Sequence, residues 1–347
     1  MNKKASYQKL FKEILDEKAF HRAEEYNKDV VIEHLNAKEK TLLAKILFQL
    51  GKQQVSTDVK KAQRSFLSSA ILSPDVSKVW REVGLLWLEN GLEEKKTEDL
   101  GRAREALLNA VEAVHYDFRS WLALAKICSL KGDFDQEVSL LLEADQYFEK
   151  SLRLLPSSSE DLLFELLWGW GINWHHLGEL SGEAHEFFHA KKKFEEALKL
   201  FEEIPSSFFV DLARTLKQLS HLFSSEELVS QAIQVCEEGL QIDERNQEGW
   251  LLLGNLFLEK FLYMVGSDQD YVMSFRSFEK AVDIDPENPL AWEAWIELLL
   301  LVGKQTRNPK YVRLAIEKAQ VANYCHDNNY TLLTQWADAL ISHGTLT

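Results

Sequence analysis

Residues 249–261 read GWLLLGNLFLEKF, and the pattern occurs twice upstream, as VWREVGLLWLENG at 79–91 and SWLALAKICSLKG at 120–132. Each copy opens on tryptophan (Trp80, Trp121, Trp250) and places a small residue four positions later (Gly84, Ala125, Gly254). A bulky or apolar residue follows three beyond that (Trp87, Cys128, Phe257). Steps of four and three return a side chain to the same face of an α-helix. Trp292, Ile296 and Leu299 keep the spacing, as do Leu167, Gly171 and Trp174, while weaker copies open at Glu39 and Leu212 and a last one at Leu333.

A second half-unit follows each opening. Its strongest column is Ala62, Ala103, Ala144, Ala190, Ala232, Ser274 and Ala315. Three residues earlier stand Val59, Leu100, Leu141, Phe187, Val229, Tyr271 and Val312. Four later come Phe66, Leu107, Phe148, Phe194, Cys236, Phe278 and Ala319. Seven later every residue is small: Ser69, Ala110, Ser151, Ala197, Gly239, Ala281 and Ala322. This too is helical spacing, and the small side chains let a neighbouring helix come close. Pro74, Pro156 and Pro286 end three of these second helices, because proline lacks the N–H that would continue them.

With openings at 39, 80, 121, 167, 212, 250, 292 and 333, the unit is a helix pair and the chain is a repeat array. The expected fold is all-α, a right-handed superhelical solenoid. Residues 1–36 form an N-terminal capping segment, 37–332 seven helix pairs, and 333–347 a C-terminal capping helix. This resembles the tetratricopeptide repeat family. The match is carried by openings such as Trp250-Leu253-Gly254-Phe257 and closings such as Ala62-Phe66-Ser69-Pro74. The units exceed the family's repeat of about 34 residues. The excess is close to two helical turns, so a longer helix would keep its face in register. Gly91, Gly132, Gly178 and Gly303 are read as the ends of the first helices, and GKQTRNPKYV at 303–312 as an extended connecting loop.

Composition narrows the function. The 347 residues are 46% hydrophobic and 27% charged, with only 15 Gly and 6 Pro, which fits an ordered helical protein. No apolar run reaches the ~20 residues of a membrane span, and the charged N-terminus MNKKASYQKLFKEILDEKAF has no secretory pattern. Cys128, Cys236 and Cys325 are widely spaced, without C-x-x-C. The expectations are a cytoplasmic location and no membrane insertion. Net charge is −15, and residues 201–347 hold 11 Lys and Arg against 22 Asp and Glu. Such a field disfavours nucleic acid; it leaves room for a basic protein partner towards the C-terminal half, and is equally the pattern of a solvated acidic surface that keeps the chain soluble.

One motif points elsewhere. His185-Glu186-Phe187-Phe188-His189 matches H-E-x-x-H, two zinc-ligand histidines beside a glutamate base. But Phe187 belongs to a repeat column, and at about 100° per residue both histidines turn away from most of the face that Phe187, Ala190, Phe194 and Ala197 bury. A catalytic zinc needs three protein ligands and a shaped cleft, and Lys192 stands where the longer motif has glycine. HEFFH is read as a chance match on a repeat helix. His175, His176 and His221 are read as polar groove histidines, since a metal would need a further carboxylate or cysteine. WGWGIN, around Gly169 and Gly171, is not followed by the Lys-Ser/Thr of a phosphate loop. No enzyme, cofactor or metal is expected.

In a helix-pair solenoid the first helices line the concave face. The groove stripe is placed one, five and eight residues after each opening. It comprises Arg81, Leu85 and Leu88; Leu122, Lys126 and Ser129; Trp168, Ile172 and His175; and Ala213, Lys217 and Ser220. Leu251, Asn255 and Leu258, then Glu293, Glu297 and Leu300, complete it. Trp168 is the expected anchor. Repeats that hold acidic chaperone C-termini carry a Lys/Asn/Lys/Arg carboxylate clamp. Here Lys126, Lys217 and Asn255 are an incomplete set, and Glu293 and Glu297 would repel a carboxylate. The expected function is a scaffold or adaptor binding a segment, basic with apolar anchors, in this groove. The alternative is a dedicated chaperone for an exported or membrane-bound client, similar to those of type III secretion.

Overall fold

Two of the repeat columns are buried along their whole length. In the computed structural model Ala62, Ala103, Ala144, Ala190, Ala232, Ser274 and Ala315 have no solvent exposure, and neither do Phe66, Leu107, Phe148, Phe194, Cys236, Phe278 and Ala319. The structure describes residues 37–54, 59–72, 77–93, 97–156, 159–200, 203–263, 267–325 and 334. The expected capping segments at 1–36 and 333–347 lie outside these apart from Thr334, as does Pro74.

The described residues form fourteen helices and no strand. The chain divides into two compact units between Ser181 and Gly182. The first holds α1 (Ala37–Gln54), α2 (Val59–Leu72), α3 (Ser77–Glu93), α4 (Thr97–Ala113), α5 (Phe118–Phe134), α6 (Val138–Leu154) and α7 (Glu160–Ser181). The second holds α8 (Ala184–Leu198), α9 (Ser206–Phe223), α10 (Glu226–Ile242), α11 (Gln247–Tyr263), α12 (Asp268–Ile284), α13 (Pro289–Thr306) and α14 (Pro309–Cys325). Inside each unit successive helices pack as hairpins, each second helix also packs on the next first helix, and neighbouring first helices touch (α3 with α5, α5 with α7; α9 with α11, α11 with α13). This is an all-α repeat solenoid.

Serines occur in the small-residue columns because their hydroxyls find carbonyls on the first helix. Ser69 Oγ donates to the Ala44 carbonyl (2.6 Å), Ser151 to Phe118 (3.0 Å) and Ser274 to Gly254 (2.8 Å), so these three hydroxyls are satisfied where they are buried. The opening tryptophans have a second task besides packing. The Nε1–H groups of Trp121, Trp250 and Trp292 each donate to the carbonyl six residues earlier (2.8–2.9 Å), tying the first helix to the turn that precedes it. Four residues before each of these tryptophans, a side chain reaches back to the start of the previous first helix. Asp117 accepts from Ser77 (2.8 Å), Asn246 donates to Ser206 (2.9 Å) and Asn288 donates to Gln247 (2.9 Å).

Two expectations are corrected. The glycines do not end the first helices. Gly91, Gly132, Gly178 and Gly303 all lie inside α3, α5, α7 and α13, with helix continuing beyond each. A Cβ on Gly91 would meet Leu100 at 3.0 Å, on Gly132 Leu141 at 2.9 Å, and on Gly303 Val312 at 2.6 Å. Glycine is there to admit the apolar column of the partner helix. GKQTRNPKYV is not an extended loop either. Gly303–Thr306 finish α13, Pro309 opens α14, and only Arg307 and Asn308 lie between, with Arg307 at φ 50° making the left-handed turn. The residues in excess of a 34-residue repeat are therefore mostly helical.

Candidate functional site

The first-helix faces are built differently from the uniform stripe that the sequence suggests. Positions eight after the opening are largely consumed by packing between neighbouring first helices: Ser129, His175, Ser220 and Leu300 are buried. So are Leu122 and Ala213, one after theirs. The accessible part is narrower. In the first unit Leu85 is 40% exposed, with Leu88, Trp168 and Ile172 half-buried. Trp168 and Ile172 stand one turn apart on α7, and the Trp168 ring lies 5.9 Å from that of Phe164. In the second unit Leu251, Asn255, Leu258 and Glu293 are half-buried and Glu297 is exposed. Leu251 and Leu258 also pack against the core built around Trp292 and Trp295.

The cations of the stripe are already matched by the protein's own carboxylates. Arg81 Nη1 meets Asp117 Oδ2 at 2.6 Å, and Lys126 Nζ meets Glu165 Oε1 at 2.5 Å. Burial would raise the Asp117 carboxyl, but hydroxyls of Ser120 and Ser77 and the Arg81 charge outweigh it and hold it below the usual range. Lys217 is lowered from its ordinary value of 10.5 by burial, partly offset by the nearby Glu259. A carboxylate-clamping face is thus not set up around Lys126 or Lys217.

HEFFH lies on α8. Phe187, Ala190, Phe194 and Ala197 are buried, while His185 and His189 are exposed with ring centroids 6.3 Å apart. His185 Nδ1 is 3.3 Å from Glu186 Oε2. Among the described residues, the one group of three potential metal ligands does not include His185 or His189.

A different cluster joins α5 to α7. His176 Nδ1 is 3.1 Å from Asp133 Oδ1 and 3.6 Å from Glu179 Oε2, and His175 Nε2 is 3.4 Å from Glu179 Oε1. Ligand atoms of Asp133, His176 and Glu179 all fall within 4.8 Å of one another. Burial opposes the charge on His176, but the two carboxylates prevail and push it up to about 9. The two histidines hold the Glu179 carboxyl well below the ordinary carboxylate range. His221, at the position matching His176, meets Glu259 instead (Nε2 to Oε2, 3.1 Å). The carboxylates around His176 were not picked out from the sequence, although a signal existed. Asp133 and Glu179 stand at the same offset, twelve residues after Trp121 and Leu167.

No protein-family model matches the chain, and no curated protein sequence matches it. Solved structures do match. A tetratricopeptide repeat protein from Parabacteroides merdae superposes with a TM-score of 0.55 at 11% identity, over 86% of this chain and 98% of that one. The C-terminal part of a TPR repeat-containing protein from Cytophaga hutchinsonii gives 0.50 at 14% identity, over 84% and 98%. Yeast Tom70 gives 0.50 at 14% identity, over 94% of this chain and 58% of that one. At such identities the likeness is one of fold.

Proposed function

We propose that this chain, which has the tetratricopeptide repeat fold, is a protein-interaction scaffold that takes up a partner segment along its first-helix faces. The observation that carries the reading is the accessible apolar set Leu85, Leu88, Trp168 and Ile172. These residues stand beside the repeat columns rather than within them, so the fold does not require them to be apolar. Aromatic and aliphatic anchors of this kind dominate binding energy at protein interfaces. Arg81, Lys126 and Lys217 have carboxylates of the same chain beside them, and Glu293 and Glu297 add negative charge in the second unit. The partner is therefore a segment with Lys or Arg next to apolar anchors, and the site of action is the cytoplasm. Leu122 and His175, being buried, serve the packing of the first helices and not the contact itself.

Panning a random peptide library against the full chain tests this. Enrichment of basic peptides with aromatic or aliphatic anchors is expected, and enrichment of acidic peptides would refute it. Trp168→Ala should weaken the enriched peptides at any ionic strength, by about 2 kcal/mol for a hot spot. Glu293→Lys with Glu297→Lys should slow association at low salt and matter little at high salt, where charges are screened within a few ångströms.

A further inference from the structure

The geometry points to a divalent transition-metal site, suited to Zn²⁺, formed by Asp133 of α5 with His176 and Glu179 of α7. Zinc binds imidazole nitrogen and carboxylate oxygen at about 2.0–2.2 Å, which sets tetrahedral donors roughly 3.3–3.6 Å apart. His176 Nδ1 lies 3.1 Å from Asp133 Oδ1 and 3.6 Å from Glu179 Oε2, close to that spacing before any adjustment of side chains. Binding displaces the proton of His176 Nδ1, and the neutral imidazole and two carboxylates that remain carry a charge of −2, which a divalent ion cancels. The imidazole favours zinc and its neighbours in the transition series over magnesium or calcium, which prefer all-oxygen sites.

The surroundings support ligation. His175 is buried, and its Nε2 lies 3.4 Å from the other oxygen of Glu179, where an outer partner of a ligating carboxylate stands in metal sites. In the turn after α5, Gln136 donates to the Asp133 carbonyl through both its backbone N–H (3.2 Å) and its side-chain amide (2.7 Å), steadying the last turn of α5. Asp133 and Glu179 each keep 38% side-chain exposure, so an ion reaches the site directly from solvent and water completes its coordination. The bound ion would clamp two successive first helices of the first unit together. Nothing about it requires a catalytic role.

The test uses the full chain in a His185→Ala/His189→Ala background, which removes the exposed pair on α8, and Zn²⁺ alone as the probe. Calorimetric titration of chelator-treated protein should give one ion per chain, and Asp133→Asn and Glu179→Gln should each weaken binding at least about tenfold. Zn²⁺ should raise the thermal midpoint of the parent and leave that of Asp133→Asn unmoved. Asp133→Asn is isosteric and partly exposed, so it carries the test even if His176→Ala fails to fold. Absence of stoichiometric binding, or binding that survives both carboxylate substitutions in folded protein, overturns the site.

Discussion

Two junctions between first helices, one in each unit, start from the same register and end in different chemistry. His176 and His221 both stand nine residues after their openings. In the first unit His176 faces two carboxylates, one from the preceding helix and one from its own. In the second, His221 faces a single buried carboxylate, Glu259, which also accepts from Ser220 (3.1 Å) and lies near Lys217. Repeat position decides which residues meet. The side chains then decide whether the meeting place can hold a cation or is already filled by one. At one junction a lysine beside the carboxylate supplies the balancing charge; at the other it is a proton on His176, which a metal ion would displace.

The largest difference should appear on removing the acid. Glu259 is 5% exposed, and Glu259→Leu leaves Lys217 and Ser220 without it in a poorly solvated place. Breaking a buried charge pair from one side costs about 3 kcal/mol or more, and a loss of that order is expected in urea denaturation. Lys217→Met added to Glu259→Leu should recover most of it, since replacing both partners with apolar groups is close to neutral. Glu179→Gln, at the partly exposed junction, should cost below about 1 kcal/mol in metal-free protein. Equal losses at both sites would break the comparison.

Lys217 sharpens it from the other side. Its folded pKa lies below the ordinary value of 10.5 because burial penalises the ammonium. The folded state therefore binds fewer protons than the unfolded state just below pH 10.5, and stability rises with pH across that window. Put the other way, the penalty is full below the folded pKa and vanishes as pH passes 10.5. Lys217→Met should flatten this alkaline rise relative to the wild type. Parallel slopes for the two proteins would mean that Lys217 is better solvated than its packing suggests.

How much of this was legible in sequence depends on whether a residue's meaning is local. The alanine and aromatic columns were, because a three-and-four period specifies a buried helix face whatever lies opposite, and all fourteen residues at Ala62, Phe66 and their equivalents are fully buried. Gly132 and Gly303 were misread because glycine has two uses. It can end a helix or admit a close neighbour, and only Leu141 and Val312 on the facing helices decide between them. Exposure along the stripe was not legible: Leu85 and Glu297 are exposed, whereas Ser129 and His175 are buried. The His176 cluster was hidden because its acids lie 43 positions away and one turn along the helix. The repeat register contained that information, but periodicity seeks equal columns and these are unequal ones.

The smallest effect concerns the turns that follow the two first helices. Gln136, after α5, and Ser224, after α9, both adopt the left-handed conformation, at φ 55° and 48°. Side chains resist this region and glycine does not. Against that gain, glycine loosens the unfolded chain by roughly 0.4–1 kcal/mol, so the net benefit at an exposed turn is small. Ser224→Gly should stabilise by a few tenths of a kcal/mol, on the scale of helix C-terminal glycines. Gln136→Gly should not, because it also removes the amide that donates to the Asp133 carbonyl at 2.7 Å. A pair of thermal melts separates the cases. If both variants gain equally, the Gln136 side chain contributes nothing to the end of α5, and the carboxylate of Asp133 is held by the helix backbone alone.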